Sequence, residues 1–164
     1  MPPPRHLRNV DTSLDMDATM TTPVIKMLGG PRVFRRRMAN DLDLAAAVRA
    51  GLPVRALDSV LKEMVGDLVS QADVYGVVGS ARTLQRKRSQ GTTLSPEESD
   101  RLARLARIIV RAEDVLGAGD KARRWLGKPN TALGGARPLS LLDSDMGTLA
   151  VEQVLGRIEH GVSS

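Results

Sequence analysis

Residues 80–91 read SARTLQRKRSQG, with Arg82, Arg86, Lys87 and Arg88 inside seven positions and no acid in the stretch. On a helix that advances about 100° per residue, Arg82, Gln85, Arg86 and Ser89 share one face, and Leu84 falls roughly opposite with Ala81 nearby. Arginine and glutamine are side-chain types that bond base edges in the major groove. Thr83, Lys87 and Arg88 on the flanks suit phosphate oxygens. A solvated cationic face is the commoner use of a charge run taken alone, so the flanking elements must decide between the two. Phe34, Tyr75 and Trp125 are the only aromatics, which leaves little for stacking on single-stranded bases.

The other residues able to do chemistry lie near the end of the chain. Arg157 and His160 close an apolar-striped segment and are followed by Gly161, Val162, Ser163 and Ser164. A glycine, three small residues and a carboxylate could form a slim anionic probe for a pocket built around phosphate. A frayed end is the plainer alternative, and His160 alone suits a helix C-cap. Catalysis has little to work with. The chain holds His6, His160 and no cysteine, and no close acidic cluster sits on an apolar helix face. The expectation is a non-enzyme with no metal and no cofactor. The two LeuGlyGly stretches, at 28–30 and 133–135, lack the lysine and spacing of a phosphate loop.

The elements needed to position these groups are all helical. Asn40 or Asp41 caps a helix through DLDLAAAVRA that stops at Gly51. Pro53 then suits a first turn, and Val54, Leu57, Leu61 and Met64 make one apolar face. Ser70 caps QADVYGVV, which Gly79 and Ser80 close before the basic helix. In LSPEESDRL, Ser95 is the cap, Pro96 the first helical residue and Glu98 the partner of a capping box. That helix carries Leu102, Leu105, Ile109, Ala112 and Leu116 on one side and Arg101, Arg104, Arg107 and Arg111 on others. After a short helix around DKARRWLG, with Trp125 as a core anchor, KPNTALGGARP reads as loop. A last helix over about 145–160 shows the stripe Gly147, Ala150, Val151, Val154, Leu155 and Ile158. Asp143 and Asp145 sit at its positive end, and Arg157 and His160 at its negative end. No segment alternates with period two over strand length, so the expected fold is all-α, with a helix-turn-helix at Ser70–Gly91.

Charge divides the chain. Net charge is +5, and residues 129–164 hold two arginines against four acids, so residues 1–128 carry +7. A basic front of this kind suits a polyanion. PRVFRRRMAN adds a second basic patch at Arg35, Arg36 and Arg37. No apolar run approaches the ~20 residues that cross a bilayer, so no membrane partner is expected. With no cysteine and no signal-type apolar core, a cytoplasmic location fits.

Three stretches together resemble a known family: RTLQRKRSQGTTLSPEESDRLARLARI, KARRWLGKPNTALGGARPLSLLDSDMG and LGRIEHGVSS. They are similar to the Xre/MbcA/ParS-like antitoxins, the partners of RES-domain toxins, over about residues 40–164. The start of the chain is proline-led, poor in large apolar groups and without helical period, and reads as a flexible leader, 1–35. The resemblance implies an Xre-like helix-turn-helix DNA-binding region over 36–92 and a small helical toxin-binding domain over 93–164. It further implies an NAD-consuming RES toxin whose active site the C-terminal region covers, and binding of the operon's own double-stranded promoter DNA. One short recognition helix reads too few base pairs alone, so a homodimer within a larger complex is expected. By position, Arg82, Thr83, Gln85, Arg86, Lys87 and Arg88 would face DNA. Arg157, His160, Gly161, Val162, Ser163 and Ser164 would meet the toxin. The rival reading is a stand-alone transcription regulator whose back third serves dimerisation or sensing.

If Arg82 or Arg86 bonds a guanine, replacing either by alanine costs about 1–3 kcal/mol of promoter affinity and relaxes sequence preference. Fluorescence anisotropy on promoter and scrambled duplexes checks this. Unchanged promoter affinity in a folded Arg82/Arg86 double variant would exclude α-helical base reading from this segment.

Overall fold

Gly51 and Leu94 come close enough to exclude a side chain, and this contact ties the two halves of the sequence together. Gly51 has φ 92, and a Cβ on it would lie 2.5 Å from the Leu94 carbonyl oxygen. Beside it Leu94 donates to the Leu52 carbonyl at 2.8 Å, Val54 donates to the Thr92 carbonyl at 3.0 Å, and Pro53 pairs with Thr93. The buried Leu52 N–H goes to the Ser99 hydroxyl at 2.8 Å. The polar groups of this crossing thereby find partners inside the protein, as buried backbone requires.

The computed structural model describes residues 21–117 and 119–161. Residues 21–27 are helical (α1). They are followed by α2 (Gly30–Phe34), α3 (Asp41–Ala50), α4 (Arg55–Met64), α5 (Gln71–Val78), α6 (Ala81–Gln90), α7 (Pro96–Leu116), α8 (Gly119–Gly127) and α9 (Asp145–Glu159). Two 3-10 turns, Thr131–Leu133 and Pro138–Leu141, lie between α8 and α9. No strand forms among the described residues, so the fold is all-α.

Local sequence explains the starts. Asn40 accepts the Asp43 N–H at 3.0 Å to open α3. Ser70 and Asp73 form a full capping box on α5, as do Ser95 and Glu98 on α7. Ser144 accepts the Gly147 N–H at 3.1 Å to open α9. Each cap satisfies a donor the helix cannot reach by itself.

The 21-residue α7 is the spine. Leu102, Leu105, Ala106, Ile108, Ile109 and Ala112 are buried on it, over an arc far wider than one apolar stripe. It packs against α3 and α5 on one side and α8 and α9 on the other. One hydrophobic cluster therefore runs from Val24 to Leu155, with Trp125 half-buried against it. The remaining arc of α7 carries arginines that meet α9. Arg104 reaches Asp145 at 2.7 Å, Arg107 reaches Glu152 at 3.8 Å, and Arg111 pairs with Glu159. Acids seven residues apart fall on one stripe of α9. Much of the acidic charge at the end of the chain is thus spent on the arginines of α7.

Arg137 joins the loop after α8 to the front half. Its guanidinium donates to the Gly127 and Leu68 carbonyls at 2.8 and 2.9 Å and to Asp73 at 3.0 Å. Gly147 permits a second close approach, since a Cβ there would stand 2.0 Å from the Leu141 carbonyl oxygen.

Three expectations change. Residues 21–35 are not a flexible leader: α1 and α2 form, and Val24 and Leu28, one helical turn apart, are buried in the common core. Residues 1–20 lie outside the described set. The apolar stripe of α9 ends at Leu155, because Ile158 is 40% exposed beyond the last core contact. The KPNTALGGARP segment is built around a 3-10 turn, in which Asn130 accepts the Ala132 N–H at 2.9 Å.

The Arg137 hydrogen bond, aided by the Ser70 backbone N–H, pulls the Asp73 carboxyl from 3.8 down to about 2. A group whose pKa is depressed by folding stabilises above its unfolded pKa and loses that contribution as pH falls through the folded value. Arg137→Ala should therefore lower the urea midpoint at neutral pH. Its deficit relative to wild type should shrink as pH is taken down toward 2. A deficit independent of pH would assign the role of Arg137 to its two carbonyl bonds alone.

Candidate functional site

The turn Gly79–Ser80 sets α6 across the front of the bundle, and three residues hold it there. Leu84 is fully buried. Lys87 donates to Glu98 at 2.6 Å, and Glu98 simultaneously accepts the Ser95 N–H at 2.8 Å. Burial by itself would push the Glu98 carboxyl up, yet the Lys87 ammonium and the Ser95 N–H hold it below the usual carboxylate range. Glu98 also lies under the turn, where a Cβ on Gly79 would meet its Cγ at 3.3 Å. On the other side of Leu84, Arg88 donates through Nε to Asp58 at 2.6 Å and through Nη1 to the Tyr75 hydroxyl at 2.6 Å and Gln71 at 3.2 Å.

The six residues expected at DNA therefore separate. Arg82, Gln85 and Arg86 are exposed on one face, together with Ser89. No hydrogen bond or ion pair of the Arg82, Gln85 or Arg86 side chains occurs among the described residues. Thr83 is half-buried at the edge of that face. Lys87 and Arg88 are engaged inside the fold, Lys87 by Glu98 and Arg88 by Asp58, Tyr75 and Gln71. Their angular positions carried the signal: at about 100° per residue both lie within about 60° of Leu84, on the packing side.

The second candidate surface is on α9. Arg157 and His160 are exposed, and the His160 N–H closes the helix on the Gly156 carbonyl. Gly161 follows with φ 67. Val162, Ser163 and Ser164 lie outside the described residues. Met146, Leu149, Gln153, Arg157 and His160 fall within an arc of about 80°, and all five are exposed. Met146 is 75% and Leu149 46% exposed. The arc separates cleanly from the core stripe (Thr148, Val151, Leu155) and from the acidic stripe that meets α7. Sequence reading singled out Arg157 and His160 but missed Met146, Leu149 and Gln153. Two large apolar side chains at helical spacing, off the core stripe, were the available sign.

Residues 43–107 match the antitoxin Xre-like helix-turn-helix domain, and residues 111–161 match the antitoxin Xre/MbcA/ParS C-terminal toxin-binding domain. A protein named Antitoxin Xre from Yersinia enterocolitica is 35% identical over 124 residues, 74% of this chain and 81% of the relative. The chain belongs to the Xre/MbcA/ParS antitoxin family. The antitoxin is also 41% identical over 80 residues to an Antitoxin Xre from Pseudomonas putida, covering 49% of this chain and 50% of that one. A more distant relative from a Sphingobium species, named Prs ADP-ribosylating antitoxin, is 26% identical over 132 residues, 75% of this chain and 82% of the relative.

The two domain matches meet inside α7 rather than before it. α6 and its exposed face fall in the first match, and the exposed face of α9 falls in the second. Among the described residues no group of His, Asp or Glu side chains could hold a metal ion, and no helix is long and apolar enough to cross a membrane.

If Arg88 acts only through Asp58, Tyr75 and Gln71, Arg88→Ala should weaken promoter and scrambled duplexes by similar factors and destabilise the fold by about 1–3 kcal/mol. The salt slope of binding should stay unchanged, whereas removing a phosphate partner would reduce it by about one unit. Duplex titrations across a salt series, paired with thermal melts, read both effects.

Proposed function

We propose that the antitoxin neutralises a RES-domain, NAD-consuming toxin by laying the exposed face of α9 and the segment from Gly161 onward over its active site. It represses its own promoter through α6. The observation that carries this reading is the solvent-facing arc of α9. A toxin-binding domain presents Met146 and Leu149 to water beside Arg157 and His160, which form no ion pair among the described residues. Apolar anchors beside cations are the usual composition of an interface centre with its polar rim. The name of the Sphingobium relative supports an NAD-linked toxin, because ADP-ribosylation consumes NAD.

An NAD-consuming site must hold a pyrophosphate and so presents cationic groups. The hydroxyls of Ser163 and Ser164 are suited to occupy it, with Arg157 and His160 on the rim. DNA binding is assigned to a homodimer, since the ten-residue α6 reads too few base pairs alone. Arg82, Gln85 and Arg86 contact bases and Thr83 the adjacent backbone. In this scheme repression, like neutralisation, occurs in the cytoplasm. The two activities share the core around α7, so a fragment starting near residue 93 would expose Leu102, Leu105 and Ile109. The whole chain is the unit of function.

Co-expression with a RES-domain toxin tests the reading. Met146→Asp with Leu149→Asp should lower toxin capture by about 100-fold or more, leaving helicity and promoter binding intact. Removing residues 161–164 should reduce capture only modestly and raise NAD consumption by the purified complex much further. If the α9 variant captures and inhibits like wild type, the toxin docks elsewhere.

A further inference from the structure

Several exposed cations that form no ion pair among the described residues gather at one groove. Arg104, Arg107 and Arg111 face acids of α9, while Lys87 and Arg88 are held within the fold. By contrast Lys26, Arg32, Arg36, Arg37, Arg55 and Lys62 are exposed and form no ion pair among the described residues. Lys26, Arg32, Arg55 and Lys62 line one open groove of about 940 Å³ between α1–α2 and α4. Arg36 and Arg37 leave the end of α2, just after Arg35 turns the chain at φ 54.

Three acids line the same groove, with Glu63 beside Lys62. Asp58 is already engaged by Arg88 at 2.6 Å. Glu63 and Glu113 lie toward the far end of α4, and residue 63 is about 12 Å along the helix from Arg55. Asp58 lines the groove while Arg88 belongs to α6, so their bond places the groove beside α6. The cationic end therefore adjoins the flank of the base-reading helix. Unpaired like charges gathered on one surface repel, and a polyanion relieves that repulsion.

We propose that this groove, with Arg36 and Arg37, is a second DNA contact that grips phosphates of the duplex flanking the stretch read by α6. It is independent of base sequence and extends the footprint beyond the helix-turn-helix. The inference rests on the helix-turn-helix reading, and its partner is duplex DNA because the groove carries exposed cations and adjoins α6 through the Asp58–Arg88 bond.

The test uses the full chain with Arg32→Ala, Arg36→Ala, Arg37→Ala and Arg55→Ala combined. These side chains are exposed and form no ion pair among the described residues, so circular dichroism melts should match wild type. Binding is titrated across a potassium chloride series on the antitoxin's own promoter duplex, in a long form and in a form trimmed to the recognised core. On the long duplex the slope of log affinity against log salt should fall by about 2 or more, at roughly 0.9 for each phosphate no longer neutralised. The preference for promoter over scrambled sequence should persist, and on the trimmed duplex wild type and variant should bind alike. Lysine at the same four positions should restore the slope. An unchanged slope on the long duplex, an equal weakening on the trimmed one, or intact DNA binding with abolished toxin capture would overturn the groove assignment. A wild type that does not distinguish promoter from scrambled duplex would instead overturn the helix-turn-helix reading on which it rests.

Discussion

A helix buried around more than half its circumference constrains everything near it, and α7 is such a helix. Its buried side chains, from Leu102 to Ala112, spread over about 220° at 100° per residue. One neighbouring helix covers roughly half of that, so α3 and α5 must close one side and α8 and α9 the other. The DNA-facing and toxin-facing parts are therefore built on one core. Burying Leu105 and Ile109 from both directions links their stabilities, and the Arg137–Asp73 bond adds a polar tie across the same boundary.

Electrostatics follow from that packing. The acids at 145, 152 and 159 suggest a chain whose back half is merely less basic than its front. In the folded protein they form a stripe against Arg104, Arg107 and Arg111. These pairs are largely exposed, and each stabilises by little. Their larger effect is on the field. With Arg104, Arg107 and Arg111 paired, the exposed cations without an ion pair among the described residues include Arg82 and Arg86 on α6, those of the groove beside α4, and Arg49, Arg101, Lys121, Arg124 and Lys128.

Helix α6 shows how one charge run divides on folding. Four cations in seven residues look equivalent on paper. Lys87 and Arg88 flank Leu84, so their side chains lie along the packing surface. There Glu98, Asp58 and Tyr75 supply partners for groups that would be expensive to bury alone. Two charge-assisted bonds and one leucine fix the backbone of α6 while Arg82, Gln85 and Arg86 stay exposed.

Sequence alone determined the class of fold and the boundaries of the capped helices, because caps and stops are local chemistry. Asn40, Ser70, Ser95 and Ser144 each satisfy orphan N–H groups within three residues, and Gly51, Gly91 and Gly117 end helices through positive φ. It also determined the exposed face of α6, since helical period and one leucine fix which side packs. Tertiary structure decided what period cannot reach. Val24 and Leu28 became core only because the bundle offers them a surface, so residues that read as leader are helices in place. Lys87 and Arg88 found acids 11 and 30 residues away, and Met146 and Leu149 stayed exposed because no other described element covers them. Contacts between distant positions depend on how helices cross, and crossing is settled by the whole core at once rather than by any one segment.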